Sequence, residues 1–106
     1  MKDIKIGTDV DISGTSLIGY VTTTYDHLVE KLGKPTHTGD EYDKVQAEWN
    51  LSFEREDGRK VIASIYDWKQ YEQGVPTSEY KWHVGGHSID VVLAVQELLG
   101  VPITPN

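Results

Sequence analysis

The chain has 106 residues, a size that suits one domain with one core, and it contains no cysteine, which removes disulfides, thiol nucleophiles and thiolate metal sites together. Ten basic against seventeen acidic residues give a net charge of −7; that charge repels a phosphate backbone, so direct binding of DNA or RNA is not expected. No apolar run approaches the ~20 residues of a membrane span and no signal-peptide pattern follows Met1, so the expectation is a cytoplasmic chain with no membrane partner.

Residues 2–6 suit a short edge strand, and Asp9, Asp11, Ser13 and Gly14 make the next stretch turn-prone, so residues 1–14 are expected to be flexible or to lie at an edge. Leu17, Gly19 and Val21 alternate with Ile18 and Tyr20, a strand pattern, while Thr22, Thr23 and Thr24 also offer helix-capping hydroxyls. From Tyr25 the period changes. Tyr25, Leu28, Val29 and Leu32 stand at i, i+3, i+4 and i+7, which predicts a short amphipathic helix with Gly33 as its cap and Pro35 as its stop. A polar connection over residues 36–43 leads to Val45, Ala47, Trp49, Leu51 and Phe53, which alternate with Gln46, Glu48, Asn50, Ser52 and Glu54; as a strand they place every apolar side chain on one face. Residues 55–59 then hold the Asp57-Gly58 turn signal, and residues 60–68 return as a strand rich in Val, Ile, Tyr and Trp, completing a hairpin.

A second polar connection, residues 69–79, precedes a third antiparallel strand with Tyr80, Trp82 and Val84 on one face and Lys81 and His83 on the other. Gly85 and Gly86 are expected to end that strand, and Ser88 to cap a helix over residues 89–99 that stops at Gly100 and Pro102. Because residues 91–95 are apolar on nearly every side, this helix is expected to be the more deeply buried of the two. The fold class is α+β. Residues 1–106 form a single small sandwich, an antiparallel sheet of three to four strands with two helices on one face. A site is expected on the open face and its loops.

The candidate site brings Trp68 and Lys69 at one strand end beside Lys81, Trp82, His83, Gly85, Gly86 and His87 at the next. Two glycines directly before a helix start offer backbone N–H groups and the positive end of the dipole to an anion. Trp68 and Trp82 supply flat faces for a base or sugar, and Lys69, Lys81 and His83 balance its charge. The same residues fit a plainer arrangement equally well, with the tryptophans in the core, the glycines in a turn and the charges solvated. Thr15, Ser16, Gly19 and Tyr20 form a weaker second cluster able to close over a ligand, although Ser and Gly enrichment usually marks a loop. Asp67 with His83 fits a general acid/base pair across neighbouring strands, a role rarer than a plain hydrogen bond there. His83 and His87 have an H-x-x-x-H spacing, but Gly85-Gly86 opposes a helix across it, so no metal and no cofactor are expected. Replacing Gly86 with Val is expected to abolish anion binding and leave the hairpin core intact.

The runs Gly14-Thr15-Ser16-Leu17, Gly19-Tyr20-Val21, Ala47-Glu48-Trp49, Ile65-Tyr66-Asp67-Trp68-Lys69 and Trp82-His83-Val84-Gly85-Gly86 resemble a group of short proteins encoded in bacteriophage and prophage genomes. The resemblance spans most of the chain between Gly14 and Leu99. It implies a protein made inside an infected bacterium, where small acidic proteins block host defences. Two routes follow: sequestering a nucleotide-derived immune signal, or binding a host defence protein directly through an acidic surface. A small hydrolase or lyase acting on such a nucleotide is the third expectation. A homo-oligomer stays open in each case.

Overall fold

A computed structural model of the chain describes residues 3–6, 10–39, 45–54, 58–68 and 78–105, the first of these segments by its backbone. Lys69 and the turn residues Arg55, Glu56 and Asp57 lie outside the described residues. The elements in order are β1 (Asp3–Ile6), β2 (Ser16–Thr23), α1 (Tyr25–Leu32), β3 (His37–Thr38), β4 (Ala47–Glu54), β5 (Lys60–Tyr66), β6 (Tyr80–Gly86), α2 (Asp90–Leu99) and β7 (Ile103–Pro105). The seven described strands form one antiparallel sheet in the order β1-β4-β5-β6-β2-β7, with β3 lying beside β4. The α+β class and the two helices are as the sequence predicts. The sheet is wider than expected because β2 pairs with β6, and because β3 and β7 add short edges that local patterning hardly marks, while β1 is the edge strand expected over residues 2–6.

The predicted hairpin forms, with Glu54 opposite Lys60 and Glu48 opposite Tyr66, and Gly58 takes the positive φ of +86° that its turn requires. Ala47, Trp49, Leu51 and Phe53 are all fully buried, so burial against the helices contributes ~1.5–3 kcal/mol for each of the large side chains. They belong to one core cluster with Leu28 and Leu32 of α1 and with Val91, Val95 and Leu99 of α2. Aromatic rings run through this core: Tyr25, Trp49, Trp82 and Tyr80 follow one another at centroid distances of 5.7, 5.6 and 5.2 Å. The two indoles are satisfied by backbone, Trp49 Nε1–H donating to the Gly33 carbonyl at 2.9 Å and Trp82 Nε1–H to the Thr23 carbonyl at 3.1 Å.

Both readings of the threonine run hold: β2 ends at Thr23, and the Thr24 hydroxyl caps α1 by accepting from the His27 N–H at 3.1 Å. Gly33 and Gly100 end the two helices with φ of +83° and +68°. As expected, α2 is the more deeply buried, with five buried residues against two in α1.

The second glycine pair departs from expectation. Gly85 and Gly86 do not break β6; they belong to it, opposite Ser64 and Ala63 on one side and Leu17 and Ser16 on the other. Their role is close approach. A Cβ on Gly86 would stand 2.4 Å from Val91 Cγ2, and one on Gly85 would stand 2.7 Å from Ser64 Oγ. Gly19 does the same for β7, since its Cβ would meet the Thr104 carbonyl at 2.6 Å, so it seats a strand rather than closing over a ligand. Ser88 is not the cap of α2 either. The N-cap is Ile89, which makes no side-chain cap, and the Val91 N–H bonds back to the Ser88 carbonyl at 3.2 Å.

Because α2 rests on Gly86, Gly86→Val would strike the core instead of sparing it. Even Gly86→Ala is expected to cost about 1–3 kcal/mol by overpacking. Adding Val91→Ala should recover part of that loss, measured as urea midpoints of the two single variants and the double. Strict additivity of the two single losses would contradict this packing.

Candidate functional site

Alternation leaves a second face on the sheet, and among the described residues neither helix packs on it. Residues paired across strands share a face, so the register lays one row of side chains over it: His37 opposite Glu48, Glu48 opposite Tyr66, Tyr66 opposite His83, and His83 opposite Tyr20. The row is continuous over five strands. The Tyr66 and His83 rings stack with centroids 5.3 Å apart, and Tyr20 meets His83 edge-on at 5.1 Å. Trp68 stands next to both, 6.4 Å from Tyr66 and 6.3 Å from His83, with 39% of its surface exposed. Its backbone N–H donates to the Tyr80 hydroxyl at 3.1 Å, which fixes the chain at this strand end. The Lys81 ammonium lies 4.2 Å from the centre of the Tyr20 ring, a cation–π contact at the other end of the row.

Two residues along from Glu48 and Tyr66, on the same strand faces, Asn50 and Ser64 are opposite one another and almost wholly buried, at 3% and 2% exposure. Gly85 makes room for the Ser64 hydroxyl and the edge of the Tyr66 ring. Asn50 Oδ1 and His83 Nδ1 are buried and lack hydrogen-bond partners, a costly state that a bound polar group would relieve. Burial raises the Glu48 carboxyl above its usual range, while His37 and a hydrogen bond from Asn50 pull it the other way. Burial also lowers His83, against the charge of Asp67, so its imidazole is neutral at neutral pH. Tyr66 is raised, first by burial and then by Glu48 and Tyr20.

The structure brings Trp68, Lys81, His83 and Tyr20 together and separates the other expected residues from them. Trp82 is on the opposite face with no exposed surface, so it has no ring face for a ligand and is a core residue. Thr15 and Ser16 lie at or before the far end of β2, where Ser16 faces Gly86. His87 is exposed and donates from Nε2 to the Ser13 carbonyl at 2.9 Å. The amides of Gly85 and Gly86 belong to a strand with neighbours on both sides, four or more residues before the first residue of α2, so the expected anion cradle is not built there.

A cavity of about 170 Å³ does border the start of α2, lined by Arg59, Lys60, His87, Ser88, Asp90 and Val91. Asp90 opposes an anion there, and the Val91 and Val92 amides are already bonded to the Ser88 and Ile89 carbonyls. Among the described residues no group of three or more His, Asp or Glu side chains is placed to hold a metal ion, and no helix is long and apolar enough to cross a membrane.

Asp67 does not pair with His83. It is fully buried, and its Oδ1 accepts from the Gln46 and Ala47 amides at 2.7 and 3.1 Å, while Oδ2 has no partner. The two groups feel one another only through space, so Asp67 acts as a clamp between the start of β4 and the end of β5. The residues here that the sequence does not mark as ligand contacts are His37, Glu48 and Tyr66 in the row and Asn50 and Ser64 beside it. For those on β4 and β5 the signal was parity: each shares a strand face with a residue opposite to the apolar set.

Comparison with protein-family models, with curated proteins and with solved structures finds no match. Fold and site together define an α+β domain built on a single sheet, with one face closed by helices and the other carrying an aromatic and ionisable row.

Burial raises the Asp67 carboxyl despite the two amides that favour its charge. The folded state therefore holds this proton more tightly than the unfolded one. Its contribution to stability is full below about pH 4 and is lost as pH rises through the folded pKa. Asp67→Asn keeps an acceptor for both amides and removes the titration, so its stability relative to wild type should improve as pH rises from 4 to 7. Asp67→Ala should cost about 1–3 kcal/mol at all these pH values, by stranding two buried N–H groups. Urea unfolding at a series of pH values measures both; a pH-independent difference between wild type and Asp67→Asn would contradict the raised carboxyl.

Proposed function

We propose that this chain is a non-enzymatic capture protein that holds a small, planar, phosphorylated ligand of nucleotide type on the open face of its sheet. One observation carries the reading: the cross-strand row of Glu48, Tyr66, His83 and Tyr20, flanked by the exposed ring of Trp68 and the ammonium of Lys81. Aromatic rings give a flat base a stacking partner whatever its sequence of atoms. Lys81 offers charge to a phosphate, and the His83 imidazole, kept neutral by burial, offers a ring face and a polar nitrogen to the base or sugar. The buried, unpartnered Asn50 Oδ1 and His83 Nδ1 add polar contacts that specify orientation.

Capture without turnover suits the arrangement because the ionisable groups of the row are engaged with one another, His83 by stacking on Tyr66 and Glu48 by accepting from Asn50. In the cytoplasm of a phage-infected bacterium, the setting that the resemblance implies, such a protein would remove a nucleotide-derived defence signal. It would need no cofactor.

The test is ligand depletion. Purified protein is incubated with cyclic and ADP-ribose-derived signalling nucleotides, the free ligand is measured, and the protein is then heat-denatured and the ligand measured again. Capture predicts a ligand that leaves solution and returns intact. A ligand that returns altered makes the protein an enzyme, and ligands that never leave solution favour a protein partner. Trp68→Ala should weaken capture by about 1–3 kcal/mol, the worth of one stacked base, while leaving the melting temperature within a few degrees because the ring is partly exposed; unchanged capture would remove Trp68 from the site.

A further inference from the structure

The open face is polar in direction. On β4, one strand in from the exposed His37 that ends the row, Glu48 presents a half-buried carboxyl, and two residues along the same strand face Asn50, 3% exposed, holds an oxygen with no hydrogen-bond partner. Both are acceptors. At the other end, the Lys81 ammonium reaches from β6 over Tyr20 of β2, a strand that lies three strands from Glu48, which is about 14 Å at the usual strand spacing. Between the two ends stand the Tyr66 and His83 rings. A ligand crossing from β4 to β2 therefore meets acceptors first, rings next and a cation last.

Resting on the capture reading, we propose that the ligand lies across β4, β5, β6 and β2 in one direction only, with an exocyclic amino group of its base on Glu48 and Asn50 and its phosphate on Lys81. The site is thereby selective for amino-bearing bases. An amino group is the complement that this end lacks: it donates two hydrogens, one for the Glu48 carboxylate and one for Asn50 Oδ1. A base edge carrying only acceptors would face the carboxylate with like polarity and leave the Asn50 oxygen unpaired, which a site of this kind rejects. Reversal of the ligand places phosphate against Glu48, and like charge opposes it. His83 lies in the middle of the row and serves either ring stacking or the sugar; it does not choose the direction.

Three probes separate the ends: AMP, purine riboside 5′-monophosphate, which lacks the amino group, and adenosine, which lacks the phosphate. Titration calorimetry at pH 7 should give AMP the tightest binding, by about tenfold or more over each of the others. Glu48→Gln should reduce the preference for AMP over purine riboside 5′-monophosphate and keep the preference over adenosine. Lys81→Met should do the reverse. Circular dichroism of both variants checks that the sheet is intact.

AMP binding with equal affinity for all three probes overturns the direction and leaves the capture reading standing. So does loss of both preferences together in either variant with the sheet intact. No binding of AMP by wild type also overturns the direction, and the ligand-depletion assay then decides separately whether capture by another nucleotide survives.

Discussion

The register that sets Glu48 opposite Tyr66, Tyr66 opposite His83 and His83 opposite Tyr20 is the constraint on which both faces of the sheet depend. Side chains alternate along a strand, so the same alignment that lines up the ionisable row on one face lines up Trp49, Ile65 and Val84 on the other. A slip of one residue would carry Trp49 to the open face and Glu48 into the core. The cost of exposing several fully buried side chains, at about 1.5–3 kcal/mol each, exceeds what any polar contact in the row could return. The core thus holds the site in register, although no residue of the row contributes to the core itself.

Close approach supplies the rest of the geometry. Gly86 lets α2 settle on β6, Gly19 lets β7 settle on β2, and Gly85 gives Tyr66 and Ser64 room on the open face. The last of these joins core and site in one stretch of chain: consecutive glycines serve opposite faces, one under a helix and one beside the rings. Asp67 adds a second link. Its carboxylate holds the Gln46 and Ala47 amides at the start of β4, and the next residue is the exposed Trp68 of the site. Burial makes ionisation of this carboxyl costly, which fits a residue kept for positioning.

Where several local rules agreed, the fold was legible. For α1, periodicity, the Thr24 hydroxyl and Gly33 all marked the same boundaries, and in the central hairpin alternation and Asp57-Gly58 did so. Short edges were not, because β3 and β7 owe their existence to partners far away in sequence. Glycine was the chief ambiguity. Nothing local separates a glycine that ends a strand from one that makes room, since the atoms that demand room at Gly86 belong to Val91 of the next helix. The candidate site was half legible for a related reason. Parity alone placed Lys81 and His83 on the open face and Trp82 on the closed one, yet which tyrosine and which acid would stand beside His83 depended on the alignment of β5 with β6, strands joined by a connection too long to fix it.

The proposed capture site stands or falls on whether a nucleotide contacts the open face of this sheet. Amide and imidazole chemical shifts of labelled protein, followed as AMP is added at pH 7, locate that contact directly. The proposed open-face site predicts that the largest changes fall on Tyr20, Glu48, Asn50, Tyr66, Trp68 and His83. Changes centred instead on residues 86–91, around the cavity at the start of α2, would contradict the open-face site and return the ligand to the helix end.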